Sequence, residues 1–250
     1  MPDQELQGRV AIITGAGRSI GRAMALELAA GGCAVVVNVR SNRVEADAVV
    51  KEIEGKGGKA MVAIADVVDA PAVNAMAEAA LKKFGRIDYL INNAALRGEK
   101  AIEHMSFEEW RQIIGVTLDG AFHCVKACIG AIKKSDAGSI INVGGLTGAM
   151  GAPDRVHVVT AKAGIAGFTR GLAMELAPHK ITVNTLVPAM LAKPDKPNEI
   201  PAHPVYRPLL GRAAWPTDIA PLARFLVGPG ARYMTGQLIN VNGGTYFGGA

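Results

Sequence analysis

The chain has 250 residues, half of them hydrophobic and 20% charged, so it is long enough to bury one sizeable core. Its formal net charge is only +5, and it lacks both a basic run and the many aromatic residues typical of a nucleic-acid-binding protein. Its three cysteines form no CxxC pair and no ligand set with the histidines, which predicts no metal site and suits a reducing cytoplasm. The polar N-terminus and the lack of a membrane-length apolar run predict a soluble protein without a membrane segment.

Apolar runs of strand length alternate with longer amphipathic segments along the chain. Seven runs are predicted to be strands: residues 10–14, 34–39, 60–65, 87–91, 139–143, 182–187 and 237–241. The longer segments between them predict helices: 18–30, 42–54, 71–84, 106–134 and 156–176. Apolar strands separated by helices are typical of a mainly parallel sheet with helices on both faces. The sequence therefore predicts one α/β domain over residues 1–250, a Rossmann-type doubly wound fold that binds ligands at the carboxyl edge of its seven strands.

The first predicted strand leads into a glycine-rich loop that opens the first predicted helix. The loop reads Thr14-Gly15-Ala16-Gly17-Arg18-Ser19-Ile20-Gly21. A strand, such a loop and a helix in this order are the context of a dinucleotide-binding site. Gly15 permits the tight turn, and Gly21 permits close packing of the helix on the strand. At Arg18, Ser19 and Ile20, backbone N–H groups and the helix dipole are available to the pyrophosphate of the cofactor.

The end of the second predicted strand distinguishes NAD from NADP. An NAD enzyme has a carboxylate there that binds the ribose 2′-OH, but this sequence reads Val39-Arg40-Ser41 and has no acid. Arg40, together with Arg18 of the glycine-rich loop, suits a 2′-phosphate instead, because guanidinium groups bind phosphate well. The alternative for either arginine is a solvated surface charge. We therefore predict NADP as the cofactor.

Further motifs lie after the fourth strand, in the last predicted helix and near the C-terminus. They are Asn92-Asn93-Ala94-Ala95, Val158-Val159-Thr160-Ala161-Lys162, Pro216-Thr217-Asp218-Ile219-Ala220 and Val241-Asn242-Gly243-Gly244. Together with the glycine-rich loop, they make the chain resemble the short-chain dehydrogenase/reductase family along almost its whole length. The resemblance is closest to the 3-oxoacyl-carrier-protein reductase-like branch. It implies a homotetramer in which helices of the fourth and fifth crossovers pack between subunits.

The resemblance also implies further contacts with the cofactor. Asp66 and Val67, after the third strand, correspond to residues that contact adenine, although Asp66 has a helix cap as its alternative role. Asn93 corresponds to a residue beside the ribose, and Lys162 to the lysine that binds the nicotinamide ribose. Pro188, at the end of the sixth strand, is the last cofactor contact that the resemblance implies.

The residues that handle protons in this family are largely missing from the chain. In the family a Ser, a Tyr and a Lys act together, with an Asn behind them. The lysine is Lys162, but the resemblance places Val158 at the tyrosine, Gly145 at the serine and Thr117 at the asparagine. A positioned acid or base is worth about 10²–10⁴ in rate. Ordinary ketone reduction by the family's mechanism is therefore expected to be severely impaired.

Several side chains are candidates for the lost functions. Thr147 lies two residues beyond Gly145, so it points to the same side if the segment is extended. His157 is a candidate because an imidazole can shuttle a proton, but on a regular helix it is turned about 100° from the tyrosine position, and a packed histidine is its alternative role. Tyr206 is a remote donor candidate. It lies in residues 188–212, a proline-rich stretch that predicts a substrate lid, with a plain surface insertion as the alternative.

Taken together, these features predict an NADP-dependent oxidoreductase with a non-standard proton relay, acting on a small carbonyl or alcohol. The candidate catalytic residues are Lys162, Thr147 and His157. Asp154 and Arg155, which precede the last predicted helix, either face the substrate or serve as capping and surface residues. One alternative is a catalytically inactive NADP(H)-binding protein that acts as a sensor or partner subunit. Another is non-redox chemistry, with the nucleotide structural or lost.

Overall fold

The computed structural model describes residues 4–192 and 207–248. Within these ranges, seven strands form one sheet in the order β3-β2-β1-β4-β5-β6-β7, and every neighbouring pair is parallel. The strands are β1 Val10–Ile13, β2 Ala34–Val39, β3 Ala60–Ile64, β4 Tyr89–Asn92, β5 Ser139–Val143, β6 Thr182–Pro188 and β7 Leu238–Val241. The predicted doubly wound α/β class is confirmed. Tyr206 and most of the predicted lid lie outside the described residues.

Helices cover both faces of the sheet. They are α1 Ser19–Ala30, α2 Arg43–Gly55, α3 Ala70–Phe84, α4 Phe107–Ile114, α5 Gly120–Ile132, α6 Thr147–Met150, α7 Val156–Leu176 and α8 Pro216–Val227. On one face, Met24 of α1, Val49 of α2 and Ile219 of α8 share a buried apolar cluster. On the other face, Met76 of α3 and Cys128 of α5 belong to a second cluster. These two layers place the carboxyl ends of all the strands on one edge.

The stretch Phe107–Ile132 is long and apolar enough to cross a membrane, with a mean hydropathy of 1.4, so the prediction that no such stretch exists is wrong. In the domain, this stretch includes α4 and α5, and Cys124, Cys128 and Ile132 are fully buried in the core. Burial raises the pKa of the Cys124 thiol to about 12, so the thiol stays protonated and serves as a packing group. Core packing therefore accounts for the apolar character of the stretch.

The single helix predicted over residues 106–134 is interrupted. A π-helical turn, Gly115–Asp119, joins α4 to α5. At the start of α5, a Cβ on Gly120 would lie only 2.6 Å from Val67 Cγ2, so α5 approaches the loop after β3 very closely. A π-helical turn inside a helix is rare and is frequently found at functional sites. The glycines at 115 and 120 were the only sign of this interruption in the sequence.

Helix α8 was not predicted, because Pro221 lies inside it and proline removes a hydrogen bond from a helix interior. Tertiary contacts override this local preference. Ile219 and Leu226 are fully buried, and Arg224 pairs with Glu5 and Glu27. The packing of α8 against α1 therefore stabilises a helix that local sequence disfavours.

A chain of buried polar side chains fixes α7 against the middle of the sheet. Asn92 Nδ2 donates to Asn142 Oδ1, Asn142 Nδ2 donates to Thr169 Oγ1, and Thr185 Oγ1 donates to the same hydroxyl, each over 2.8 Å. These side chains come from β4, β5, α7 and β6. Buried polar groups that are paired in this way specify one arrangement of the elements that carry them. These hydrogen bonds therefore set the position of Lys162 on α7 relative to the strand ends.

Candidate active site

The strand order reverses between β1 and β4, and ligands of open α/β sheets bind at this point. The loops that follow these two strands are tied together. Asn93 Nδ2 donates to Thr14 O over 2.8 Å and to Gly15 O over 3.1 Å. Thr14 Oγ1 accepts from the backbone N–H groups of Asn93 and Ala94, each over 2.9 Å. Asn93 therefore shapes the glycine-rich loop from behind.

The glycine-rich loop leaves no room for side chains at its key positions. Gly15 has a φ of +62°, which favours glycine, and a Cβ on Gly21 would lie 2.2 Å from Gly15 O and 2.6 Å from Asn93 Nδ2. The first turn of α1 carries no acidic residue, and the side chain of Arg18 makes no capping hydrogen bond. The helix N-terminus therefore offers its backbone N–H groups and positive dipole end to an anion, so these residues fit a dinucleotide pyrophosphate.

Ser19 has an unusual backbone conformation in this loop. Its φ is +52°, in the left-handed region that favours glycine. A glycine would adopt this conformation without the steric cost that it has for an L-residue. Ser19 is exposed and begins α1, so its side chain lies at the helix end that fits the pyrophosphate.

We expect Ser19→Gly to raise the free energy of unfolding by about 1 kcal/mol, the cost of holding an L-residue in the left-handed region. The same substitution removes the Cβ beside the phosphates, so dinucleotide affinity should also rise. Denaturant unfolding and a nucleotide titration measure the two effects. Ser19→Ala keeps the Cβ and loses only the hydroxyl, so it should show neither gain. Equal behaviour of the two variants would mean that the Ser19 backbone imposes no strain.

The adenosine end of the site is rich in free positive charge. Arg18 and Arg40 are exposed, and their side chains have no hydrogen-bond or ion-pair partner among the described residues. Asn38 carries the last polar side chain of β2. Its Nδ2 donates to Ala63 O over 3.2 Å and to Ala65 O over 3.0 Å. Its side-chain amide is thus hydrogen-bonded to the backbone of the neighbouring segment and is not free to bind a ribose. The contact of Arg18 and Arg40 with a 2′-phosphate stays a prediction.

The loop after β3 contains the residues predicted to contact adenine. Asp66 accepts from Val68 N over 3.2 Å, whereas the cap of α3 is Asp69, which accepts from Ala72 N over 3.1 Å. The alternative role of Asp66 as the helix cap is therefore wrong. The Val67 side chain is buried against α5, so only the backbone of Val67 is left to face a ligand. Adenine contacts by Asp66 and Val67 stay a prediction.

Lys162 extends from α7 to the end of β5. Its Nζ donates to Val143 O over 2.8 Å, and its side chain is partly buried. Burial, with a smaller contribution from the nearby positive charge of Arg97, lowers the pKa of Lys162 to about 8. No carboxylate in the described part of the chain offsets this charge within hydrogen-bond distance. Lys162 is therefore an unusually acidic ammonium group at the ligand edge of the sheet.

Gly145 and Thr147 lie beside Lys162. A Cβ on Gly145 would lie 3.5 Å from Lys162 Cγ and 3.7 Å from Thr147 Oγ1, which is ordinary van der Waals contact. The φ of Gly145 is not positive, so neither space nor backbone requires glycine here. The extended segment assumed for Thr147 is wrong, because Thr147 begins the short helix α6. Its hydroxyl nevertheless lies close to the serine position predicted from the resemblance.

Val158 occupies a buried, apolar position one helical turn before Lys162. It is 8% exposed and packs in an apolar cluster with Ile113 and Ala161, against which Leu96 and Ile114 also lie. This cluster contains no proton donor or acceptor. The position at which the resemblance predicts the family's tyrosine is thus filled with hydrocarbon in this chain.

His157 and Thr117 are both buried. His157 is 2% exposed, its Nε2 would lie 2.9 Å from a Cβ on Gly98, and its Nδ1 has no partner among the described atoms. Thr117 lies inside the π-helical turn and is 4% exposed. Lys162, Thr147 and Gly145 are therefore brought together, whereas His157 faces the loop after β4. A catalytic role of His157 stays a prediction.

Comparisons with known proteins agree on the family. The model of the family described as short chain dehydrogenase matches residues 9–201. A 3-oxoacyl-acyl-carrier-protein reductase of Synechocystis sp. is 41% identical over 241 residues, which cover 96% of this chain and 97% of the relative. The enzyme of the same description from Staphylococcus aureus is 37% identical over 239 residues, with coverage of 94% and 97%. The chain belongs to the short-chain dehydrogenase family. A crystal structure of a dehydrogenase/reductase from Sinorhizobium meliloti 1021 matches with a TM-score of 0.91 at 30% identity, and it covers 98% of this chain and 97% of the other.

In this short-chain dehydrogenase, a pocket of about 260 Å³ opens beside Thr147. It is lined by Glu99, Leu146, Thr147, Ala152, Pro153, Asp154, Arg155 and Met190. Two of the segments that line it, the loop after β4 and the loop between α6 and α7, are joined by the Arg155–Glu99 ion pair and by Lys100 N donating to Asp154 O over 2.6 Å. Arg155 and Asp154, whose alternatives were capping and surface roles, thus line a pocket next to the proposed catalytic residues.

Arg97 was not among the predicted site residues. This residue lies in the loop after β4, two positions before Glu99, and its charge affects the pKa of Lys162. Its position after a strand end, where polar residues of this fold meet ligands, was the available signal. The predicted lid is only partly described, but a β-bridge between Leu191 and Ala214 holds its two ends side by side next to the pocket's Met190.

Proposed function

We propose that this short-chain dehydrogenase is an NADP-dependent oxidoreductase that acts on a small carbonyl or alcohol with a proton relay based on Lys162. The observation that carries the proposal is the combination of a glycine-rich loop closed to any Cβ at Gly21 with an acidic ammonium group at Lys162. The loop supports dinucleotide binding. The lysine supports proton transfer at the place where the apolar Val158 leaves no phenol.

Each residue has a distinct task in the proposed site. Gly15 and Gly21 let the backbone approach the pyrophosphate, and Arg18 and Arg40 bind the 2′-phosphate. Asn93 keeps the loop in shape, and Pro188 ends β6 beside the site. The bound cofactor supplies or accepts a hydride. This leaves the protein the tasks of orienting the substrate and handling one proton.

The proton route begins at Lys162. Its ammonium group binds the ribose hydroxyls and donates a proton to the oxygen that forms when a carbonyl is reduced; solvent then reprotonates it. A pKa near 8 suits this task, because an efficient general acid has a pKa near the working pH. The Thr147 hydroxyl makes no other hydrogen bond among the described residues, so it is free to orient the substrate oxygen. In the proposed site, Gly145, Val158 and Thr117 stand where the family's serine, tyrosine and asparagine stand.

The second candidate function is a cofactor-binding protein without turnover, acting as a sensor or partner subunit. The observation that favours it is the dry cluster around Val158, which closes the position of the usual acid. Both candidates require the same nucleotide site, so turnover distinguishes them. Because the two similar proteins are 3-oxoacyl-acyl-carrier-protein reductases, 3-oxoacyl thioesters are the first substrates to test beside simple ketones, enones and quinones.

The test combines nucleotide binding with turnover. We expect NADPH to bind more tightly than NADH and to be oxidised by at least one member of this panel. Arg40→Ala should weaken NADPH binding about 10-fold or more and leave NADH binding unchanged, because a charge-assisted hydrogen bond contributes about 1.5–3 kcal/mol. Fluorescence titration and absorbance at the nicotinamide band measure the two quantities.

Arg43→Ala is the matched control for Arg40→Ala. Arg43 is an exposed cation three residues further along, and it already pairs with Asp47 over 3.7 Å. Its removal should not change the preference for NADPH. Equal losses in both variants would mean that Arg40 contributes only general positive potential. Tight binding of NADPH without oxidation by any substrate would favour the second candidate function, and no nucleotide binding would exclude both.

We also propose that the protein is cytoplasmic and forms a homotetramer. The three cysteines are buried and unpaired, which suits a reducing compartment. Phe107 and Phe122 on the fourth crossover and Met174 on α7 are large apolar side chains that this subunit leaves 76%, 50% and 82% exposed. Such side chains on neighbouring helices support contacts between subunits there.

A further inference from the structure

Two motifs near the C-terminus take no part in the proposed nucleotide site or proton route. They are Pro216-Thr217-Asp218-Ile219-Ala220 and Val241-Asn242-Gly243-Gly244. Both contact residues 208–214, the segment that leads into α8. The same segment forms a β-bridge with the residues that follow β6. The two motifs therefore act on one place in the fold, next to the pocket of about 260 Å³.

Asn242 folds the chain after β7 into a tight turn that packs on this segment. The Asn242 side chain is buried, its Oδ1 accepts from Gly244 N over 3.0 Å, and its Nδ2 donates to a backbone carbonyl four residues later over 2.8 Å. Leu210 N donates to Gly243 O over 3.1 Å, and a Cβ on Gly244 would lie 3.0 Å from Leu209 Cδ1. The turn therefore fixes one end of residues 208–214.

Asp218 fixes the other end. Its two carboxylate oxygens accept from Arg212 over 2.6 and 2.8 Å, and one of them also accepts from Trp215 N over 2.7 Å. A bidentate pair of this kind holds both groups in a defined geometry. Ala213, next to Arg212, is 4% exposed. The end of the segment is thus fastened to the first turn of α8, which packs on the core.

The fastened segment determines where Met190 lies. Strand β6 ends at Pro188, so the strand pairing of the sheet does not extend to Met190. Two hydrogen bonds to Ala214 take its place: Ala214 N donates to Met190 O over 3.0 Å, and Ala192 N donates to Ala214 O over 2.8 Å. Leu191 and Ala214 also pack against the buried cluster under α1 and α8. The backbone of Met190 is therefore held by Ala214.

The Met190 side chain lines the pocket beside Thr147. The pocket lies at the small end of ligand sites, and its other apolar lining residues are Leu146, Ala152 and Pro153. Methionine is unbranched and flexible, so the place of its thioether depends on where its backbone is held. A long side chain in so small a pocket limits the length of the apolar arm that a substrate can carry.

We propose that Met190 sets the largest substrate that the pocket accepts, and that Asn242 and Asp218 are positioning residues that hold Met190 in place. This rests on the proposed oxidoreductase function and narrows its substrates to carbonyl compounds with a short apolar arm. The two C-terminal motifs thereby acquire a role in specificity, which they exert through residues 208–214.

The first part of the experiment changes Met190. NADPH oxidation is measured with methyl ketones from 2-butanone to 2-decanone, and binding of the unreactive primary amides of the same lengths is measured by ligand-observed NMR. Wild type should favour the short members of both series. Met190→Ala should improve the long members relative to the short ones by about 10-fold or more, because even one methylene in an apolar pocket has an effect of this size. Met190→Leu, which conserves volume, should keep the wild-type profile.

The second part changes Asn242, which is not a pocket residue. In Asn242→Ala, the preference for short ketones should fall by about 10-fold through KM, with kcat and NADPH affinity changed much less, because the parts that move hydride and proton are untouched. Deuterium exchange should become faster in residues 188–192 and 208–214. Asn242→Asp keeps the acceptor for Gly244 N and should be intermediate.

Asn240→Ala is the control for Asn242→Ala. Asn240 lies two residues earlier in β7, and its side chain makes no hydrogen bond within the described ranges. This variant should match wild type in exchange and in length preference. Asp218→Asn tests the same positioning from the other end of the segment, so the test survives if Asn242→Ala does not fold.

Two results would overturn the proposal. An unchanged length profile in Met190→Ala, in amide binding and in turnover, removes the role of Met190. Wild-type exchange and length preference in folded Asn242→Ala and Asp218→Asn remove the positioning role. If the amides show the expected length limit but no ketone is reduced, the proposed oxidoreductase function fails while the role of Met190 in the pocket stands.

Discussion

Val158→Tyr combined with Gly145→Ser is expected to raise NADPH-dependent ketone reduction by about 10²-fold or more, the usual contribution of a positioned acid. The geometry permits both changes. A Cβ on Gly145 meets its nearest neighbour at 3.5 Å, and Val158 lies one helical turn before Lys162 on the same face of α7. A phenol at 158 therefore points along the face that carries the ammonium group, which lowers the phenol's pKa and helps it to donate its proton.

Controls separate the hydroxyl groups from the added bulk. Val158→Phe fills the same volume without an acid, and Gly145→Ala adds the Cβ without a donor, so neither should raise the rate. The larger ring displaces part of the apolar cluster with Ile113 and Leu96, which we expect to cost about 1–3 kcal/mol of stability. Denaturant unfolding of each variant shows whether it is folded. Steady-state kcat/KM with a panel of ketones gives the rate.

The outcome tests the assignment of the family's catalytic positions to this chain. If the double variant is folded and binds NADPH but reduces no ketone faster than Val158→Phe, then residues 145 and 158 do not face the reacting oxygen. If Val158→Tyr alone gives most of the gain, the Thr147 hydroxyl already supplies the orienting hydrogen bond that Gly145 lacks.

The fold was largely predictable because local and global signals agree along most of the chain. The two strands at 34–39 and 139–143 and the helix at 156–176 were predicted with the bounds that the structure has. The glycine-rich loop was predictable because its structure requires glycine. Gly15 has a positive φ, and a Cβ on Gly21 would collide with the loop backbone. The errors lie where tertiary contacts decide. Pro221 is tolerated because α8 packs on α1, and the π-helical turn at 115–119 depends on close approach to other elements.

The same distinction applies to the site. Lys162 and the positions of the family's tyrosine and serine, Val158 and Gly145, could be located from motif spacing in the sequence alone. The Val158 cluster and the position of His157 against Gly98 depend on how the loop after β4 lies over α7. Sequence spacing carries no information on such contacts between distant segments. Thr147 was correctly predicted to lie near position 145, but the reason was wrong. The prediction assumed an extended segment, whereas Thr147 begins a short helix.

Lys162→Met is expected to abolish turnover, with a loss of at least about 10²-fold, and to leave the protein folded. Lys162→Arg is the matched variant: it keeps a positive charge for the nicotinamide ribose, but a guanidinium stays protonated at all working pH values and donates no proton. NADPH affinity should therefore survive in Lys162→Arg, while turnover should be lost in both variants. Substantial turnover in Lys162→Arg would show that another group donates the proton.

The pH dependence follows from the same residue. The acid form of Lys162 is the ammonium, so carbonyl reduction by wild type should fall about 10-fold per pH unit above a pKa near 8. Stability changes in the opposite direction. Burial lowers the pKa of Lys162 from 10.5 in the unfolded chain to about 8 in the folded one, so between these values the unfolded chain binds more protons and rising pH favours the folded state. Wild type should therefore gain stability relative to Lys162→Met between about pH 8 and 10.5, as measured by denaturant unfolding of both proteins across that range. A stability difference that is independent of pH would mean that Lys162 titrates alike in both states, and a general acid with a pKa near 8 would then have to be sought elsewhere.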